Sequence, residues 1–369
     1  MFKRARRISK LTLSTFILLL VIAFGSATLT THHHISLAEE IVYQPAAQAV
    51  EVEAASTEAE NHKPAVELSP YSLGQAHHRD LSVQIEVSNT GSNASRNVRL
   101  EIPMLSEIDS PYQSILKEDF SHEPTEVNNG TMGNRSGVFN IDSLAPGSSK
   151  TITLNYSLAV RPISTDFAFD NSDMDIEFEE IGDGYLESSD KIESDHREIV
   201  SKAKKLTADL EDDLDKAEAI YSFVISHMEY DLNSPHRNKG ALTALQKSSG
   251  VCEEYAALFV ALCRASDIPA RQVNGYTDPR GTGEIWDLDH GQALSLSGYR
   301  HSWAEFYMDD IGWVPADPTF DMHSRDDFKY FGSFSGSSHM VQNYLDQSIR
   351  GSFNGGQLAI SWGEELVKH

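Results

Sequence analysis

The chain has 369 residues, 40% of them hydrophobic, and a formal net charge of −25 at pH 7. That length suits two or three domains with real cores. The acidic excess excludes nucleic acid as a partner, because the phosphates would be repelled.

The N-terminus reads MFKRARRISKLTLSTFILLLVIAFGSATLTT. Five cations (Lys3, Arg4, Arg6, Arg7 and Lys10) precede an apolar run from Leu11 to Phe24, and small residues follow. This is the order of regions in a secretory signal, with a cleavage position after Gly25-Ser26-Ala27. If the apolar run is counted to Leu29, its roughly 19 residues also suit a membrane anchor. Either reading of residues 1–27 puts the rest of the chain outside the cytoplasm, secreted or held at the cell surface. Cleavage would take the charge from −25 to −30, since five cations leave with the signal.

Residues 28–65 are rich in Ala, Glu and His without periodicity and read as a disordered linker. The His32-His33-His34 run within it is taken as incidental rather than metal-binding. From 66 to 163 the pattern switches to period two. Leu81, Val83, Ile85 and Val87 alternate with polar residues, as do Val98, Leu100 and Ile102, and then Ile152, Leu154, Tyr156 and Leu158. The turn clusters NTGSN and LAPGSS separate these runs. One buried and one wet face per strand suits an antiparallel all-β sandwich. The segment resembles the immunoglobulin-like modules of bacterial surface proteins. It carries no catalytic constellation, so spacing or the binding of a cell-envelope partner is its expected role.

Residues 164–190 form an acidic connector. Its aspartates lack the spacing and central glycine of a calcium loop. From 191 to 369 helical periodicity comes first: Ile199, Ala203 and Leu206, then Leu214, Ala217, Ile220, Tyr221, Val224 and Met228. After Gly250 a third stripe runs through Tyr255, Leu258, Phe259 and Leu262 and stops at Pro269, with Asp267 in the slot for a left-handed residue. Strand patterns follow at ARQVNGYT, HSWAEFYM, GWVPADPT and QLAISW. Helices followed by antiparallel strands give an α+β domain.

Both cysteines, Cys252 and Cys263, fall on the helix after Gly250. Eleven positions at about 1.5 Å each put them about 16 Å apart, too far for a disulfide, which needs Cα atoms within about 7 Å. Cys252 sits in the first turn, where unpaired N–H groups and the helix dipole favour a thiolate and can hold an oxyanion. Cys263 lies deep in the helix and reads as a small core residue. A thiolate nucleophile needs a histidine base and a group to orient it. His301 and Asp317 lie eight residues either side of Asp309, in a DDIG turn, so a hairpin would bring them nearly opposite each other. His227, His236 and His290 have no carboxylate at such spacing.

GVCEEYAALFVALCRASDIPARQVNGY followed by HSWAEFYMDDIGWVPADPT resembles the transglutaminase-like superfamily. The resemblance covers roughly residues 195–320. It implies a papain-like α+β core, preceded here by the sandwich. It also implies Cys252 as nucleophile, His301 as base and Asp317 as the orienting group. Asp267 stands where the family has glycine. Animal transglutaminases place a tryptophan upstream of the cysteine, whereas Trp286, Trp303, Trp313 and Trp362 all follow Cys252. Gln246, six residues before Cys252, has the spacing of the oxyanion glutamine of papain-like peptidases. Tyr230 and Trp303 are expected to border the substrate cleft. The implied activity is acyl transfer on protein or peptide substrates that offer Gln/Lys side chains or a scissile amide, giving cross-linking or deamidation. The alternatives are a cysteine peptidase of the same fold and a non-enzymatic envelope-binding module. No cofactor and no metal site is expected.

Overall fold

The computed structural model describes residues 33–34, 69–106, 110–130, 133–169, 181–277, 293–323, 328–334, 339–343 and 349–367. The expected signal, most of the expected linker and residues 170–180 of the acidic connector lie outside these residues, as do Trp286 and His290. Among the described residues no helix is long and apolar enough to cross a membrane.

The alternating runs form two five-stranded antiparallel sheets. In one, Ala293–Ser295, Leu358–Val367, His77–Asn89, Ser149–Val160 and Gln113–Phe120 lie side by side in that order. In the other, Arg350–Asn354, Ser95–Met104, Arg135–Leu144 and Glu126–Asn129 are neighbours, with His33–His34 at the Arg350 edge. Each alternating strand turns its apolar residues to one side. Leu81, Val83, Ile85, Val87, Leu100, Ile102, Leu154, Leu158 and Trp362 meet in one core.

The strand Leu358–Val367 corrects the domain boundaries. It was expected to close the catalytic half, but it pairs with the whole of His77–Asn89, from Leu358 opposite Asn89 to Val367 opposite Asp80. The β unit is therefore not a self-contained segment of residues 66–163. Its sheets take strands from the C-terminal end of the chain, and residues 32–369 form one compact unit. The physical reason is that alternation specifies a half-buried strand but not its partner.

Among the described residues, four α-helices lie between the strand segments: α1 (Arg197–Leu206), α2 (Asp213–His227), α3 (Ala241–Lys247) and α4 (Cys252–Arg264). Every residue of α4 except Glu253 is buried. A helix apolar all round belongs in the middle of a core. It packs with α1, α2 and α3 and against a four-stranded antiparallel sheet through Ala270, Ala304, Phe306, Val314 and Ala316. That sheet runs in the order Gly312–Ala316, Arg300–Met308, Ala270–Thr277, His339–Asn343. As expected, Asp267 takes the left-handed conformation (φ +63°), and the next residue, Ile268, returns its N–H to the Cys263 carbonyl at 3.0 Å. This closes the helix and starts the chain toward the sheet.

Candidate active site

The start of α4 is built by close approach. Glu254 turns its buried carboxylate back, so that Oε2 accepts the Val251 N–H at 3.1 Å and Oε1 accepts the Lys239 N–H at 3.1 Å. It thereby supplies one of the acceptors a helix N-terminus lacks. The turn requires glycine at 250: a Cβ there would stand 2.6 Å from Glu254 Cβ. Gly250 also pairs in parallel with Tyr230, tying the residue before the helix to the end of α2. Cys252 follows as the first helical residue, 8% exposed.

Across from it, Arg300–Met308 and Gly312–Ala316 form the expected hairpin, with Ala304 opposite Ala316 and Met308 opposite Gly312. The hairpin centres on Asp310 rather than Asp309, which places Asp317 two positions off direct opposition and on the same face as His301. His301 Nε2 lies 2.6 Å from Asp317 Oδ2. With Nε2 taken, Nδ1 is the nitrogen left for Cys252, which is within hydrogen-bonding reach of the ring. The ring stacks on Phe320 at 4.8 Å, which holds its plane.

Asp317 is fully buried and held at every polar atom. Its N–H donates to the Tyr330 carbonyl, and its own carbonyl accepts from Tyr221 Oη at 2.8 Å. Oδ1 accepts the Thr319 and Phe320 N–H groups at 2.9 and 3.3 Å. Oδ2 accepts from His301 and, at 2.9 Å, from His339 Nε2. Burial alone would raise the Asp317 pKa, but His301 and the hydrogen bonds outweigh it and hold the carboxylate ionised. Burial likewise acts to neutralise His301, and the Asp317 and Cys252 charges reverse this, lifting its pKa to about 10. Cys263 is the opposite case, a fully buried thiol whose pKa is pushed well up by desolvation.

The other expected site residues divide. Tyr230 is half-buried, and its pKa is raised first by burial and next by the charge of Cys252. Trp303 does not border a cleft. It is fully buried behind His301, and its Nε1 donates to Tyr112 Oη at 3.0 Å. The cause is strand parity, since Trp303 shares the face of His301 but lies one pair deeper in the sheet. Gln246 is not an oxyanion donor here. Its exposed amide is committed to the Glu198 carboxylate of α1 at 3.2 Å. His227 is structural, stacked on Phe223 and bonded to the Leu245 carbonyl.

Two participants were not foreseen. His339 reaches Asp317 from the edge strand His339–Asn343, across Ala270–Thr277 from the His301 strand. Tyr112, from the β unit, sits under the His301 strand, where it accepts from Trp303 and donates to Glu305 Oε1 at 2.6 Å. Glu305 also pairs with buried Arg271, whose guanidinium lies 3.8 Å over the Trp313 ring. Arg300, next to His301, is ion-paired with Glu364 of the C-terminal strand. No local pattern marks Tyr112 or His339. Among the described residues, His301, Asp317 and His339 are also the group whose ligand atoms approach within 4.8 Å. Their spacings are those of N–H···O hydrogen bonds to one shared oxygen, which satisfies all three without an ion.

Residues 200–318 match the family model of the transglutaminase-like superfamily. YebA of Bacillus subtilis is 28% identical over 149 residues, covering 37% of this chain and 19% of that protein. A Haemophilus influenzae protein is 32% identical over 114 residues, covering 28% and 31%. A protein-glutamine gamma-glutamyltransferase of Pseudomonas aeruginosa is 36% identical over 73 residues, covering 20% and 10%. The matches thus span less than a third of each of these relatives. Among solved structures, a Cytophaga hutchinsonii protein provisionally described as a cysteine protease aligns with a TM-score of 0.47 at 16% identity, over 80% of this chain and 99% of that one. The periplasmic domain of TgpA from Pseudomonas aeruginosa aligns with a TM-score of 0.35 at 16% identity, over 69% and 96%. The family that the chain matches, through residues 200–318, is the transglutaminase-like superfamily.

Proposed function

We propose that this protein is an extracytoplasmic thiol enzyme that transfers acyl groups from protein or peptide amides. The observation that carries the reading is the bridge made by His301, bonded to buried Asp317 at 2.6 Å on one side and within reach of Cys252 on the other. Cys252 Sγ attacks the amide carbonyl carbon, and the developing oxyanion is held by N–H groups in the first turn of α4. His301, charged beside the thiolate, gives its proton to the leaving nitrogen as the C–N bond breaks. Ammonia leaves from a glutamine side chain, or an amine from a peptide bond, and a thioester remains on Cys252. An incoming amine then yields an isopeptide link, and water yields the acid. Asp317 keeps the imidazole oriented throughout and stabilises the charged form, which His301 regains when it takes the proton of the incoming amine or water. The extracytoplasmic placement rests on the basic-then-apolar pattern of residues 1–27.

The test offers the full chain a set of glutamine-containing peptides with a fluorescent primary amine and follows amine incorporation and ammonia release. Product that disappears in Cys252→Ala is expected. No acyl transfer or hydrolysis by the wild type, or product that persists in Cys252→Ala, would overturn the reading.

A further inference from the structure

Asp317 Oδ2 is shared. His301 Nε2 approaches it at 2.6 Å and His339 Nε2 at 2.9 Å. The two histidines come from strands on opposite sides of Ala270–Thr277. His301 pairs with Gly275, and His339 pairs with Thr277 two residues on. Positions 275 and 277 point to one face, so the imidazoles flank a position that carries no side chain.

His339 is 1% exposed and its ring lies flat on Phe334, with centroids 3.8 Å apart and planes 12° from parallel. Trp303 meets it edge-on at 4.9 Å. A ring held this firmly has one orientation in which to present Nε2–H. Burial lowers its pKa and outweighs the opposing pull of Asp317, and the charge on His301 adds to the lowering. A neutral imidazole can donate one proton to Asp317 without competing for its charge.

We propose that His339 is a positioning residue for the reaction, donating Nε2–H to Asp317 Oδ2 so that the carboxylate stays ionised and aimed at His301. The inference rests on the Cys252–His301–Asp317 reading of the site. In this role His339 acts through Asp317. Removing the donor leaves a buried carboxylate oxygen with one partner, free to tilt away from the base.

The test compares His339→Gln, which retains an N–H donor, with His339→Met, similar in length but without one. Both lose the stacked ring, so packing losses are common to the pair. The readout is the rate at which iodoacetamide alkylates Cys252 in the folded full-length protein across a pH series, with His301→Ala as reference. The expected result is alkylation of His339→Met slowed on the order of tenfold at mildly acidic pH, with most of the rate restored in His339→Gln. Wild-type rates in both variants, or equal slowing in both, would overturn the role of His339 and leave the triad standing. A wild-type profile identical to that of His301→Ala would remove the triad and this inference together. Should His339→Met fail to fold, histidine ¹⁵N spectra of the wild type decide: a protonated Nε2 on His339 supports the proposal, and an unprotonated one overturns it.

Discussion

His301 and Asp317, sixteen positions apart in sequence, are joined by a 2.6 Å contact between Nε2 and Oδ2 inside a site that admits almost no solvent. A carboxylate placed there fixes the tautomer and the plane of the His301 ring. Replacing it with an amide keeps the shape and removes the charge. Asp317→Asn is therefore expected to lower the rate of acyl transfer by about 10²- to 10⁴-fold with little change in KM. His301→Ala combined with Asp317→Ala should cost scarcely more than His301→Ala alone. Steady-state kinetics on the single and double variants check this, and additive losses would show that Asp317 does not act through His301.

The pH response follows from the raised pKa of His301. Its unfolded value is about 6.5 and its folded value about 10. A base held above its unfolded pKa adds stability that is fully present below about 6.5 and is lost as pH rises toward about 10. The difference in Tm between wild type and His301→Ala should thus narrow across that window. Amide cleavage, which needs the imidazolium to protonate the leaving nitrogen, should have its alkaline limb near pH 10 rather than near neutrality. Thermal melts and rate profiles over the same pH series test both. A limb near 6.5 would mean that the ion pair does not form.

Gly250→Ala probes the helix start. A Cβ at 250 meets Glu254 Cβ, Cγ and Oε2 at 2.6, 2.7 and 2.9 Å. The Glu254 carboxylate must swing away, the Val251 cap is lost, and Cys252 moves with it. A stability loss of about 1–2 kcal/mol with a disproportionate fall in activity is expected. Denaturant unfolding together with an amide-cleavage assay distinguishes this from the milder case, in which stability falls and activity does not.

Tyr112→Phe and deletion of Leu358–Val367 test the union of the β unit with the catalytic sheet. Tyr112 Oη is the donor to Glu305 Oε1, and Glu305 is the buried partner of Arg271. Losing the hydrogen bond to a buried charge should cost about 1.5–3 kcal/mol, and the variant also strips the acceptor from buried Trp303 Nε1, so the loss should be at or above the upper part of that range. Deleting the C-terminal strand strips ten paired positions from His77–Asn89 and should leave residues 66–163 unable to unfold cooperatively. A sharp melt from an isolated 66–163 fragment would restore the boundary read from the sequence.

What could be read in advance was local. Cys252 at a helix start, Asp267 as a left-handed stop and the Asp309-Asp310 turn all declare themselves within a few residues, because capping, turn chemistry and strand parity are short-range. Partner choice is not. Leu358–Val367 crosses some 270 positions to reach His77–Asn89, and alternation alone cannot say where it goes. His339 follows a stretch of serine and glycine with no periodic cue, yet the sheet order brings it to Asp317. Trp303 and Gln246 failed as cleft and oxyanion residues for a related reason. Motif spacing says that a residue is near Cys252 or His301 in sequence, while depth in the sheet and the pull of Glu198 decide where its side chain ends.

The most direct test of the central claim, that Cys252 is a nucleophile activated by His301, is peptide mapping after brief exposure of the folded protein to dilute iodoacetamide near pH 6. Cys252 should be alkylated first and quickly, Cys263 should stay free until the protein is unfolded, and His301→Ala should slow the labelling of Cys252 strongly. Equal labelling of both thiols in the folded protein, or a Cys252 rate that His301→Ala leaves unchanged, would contradict it.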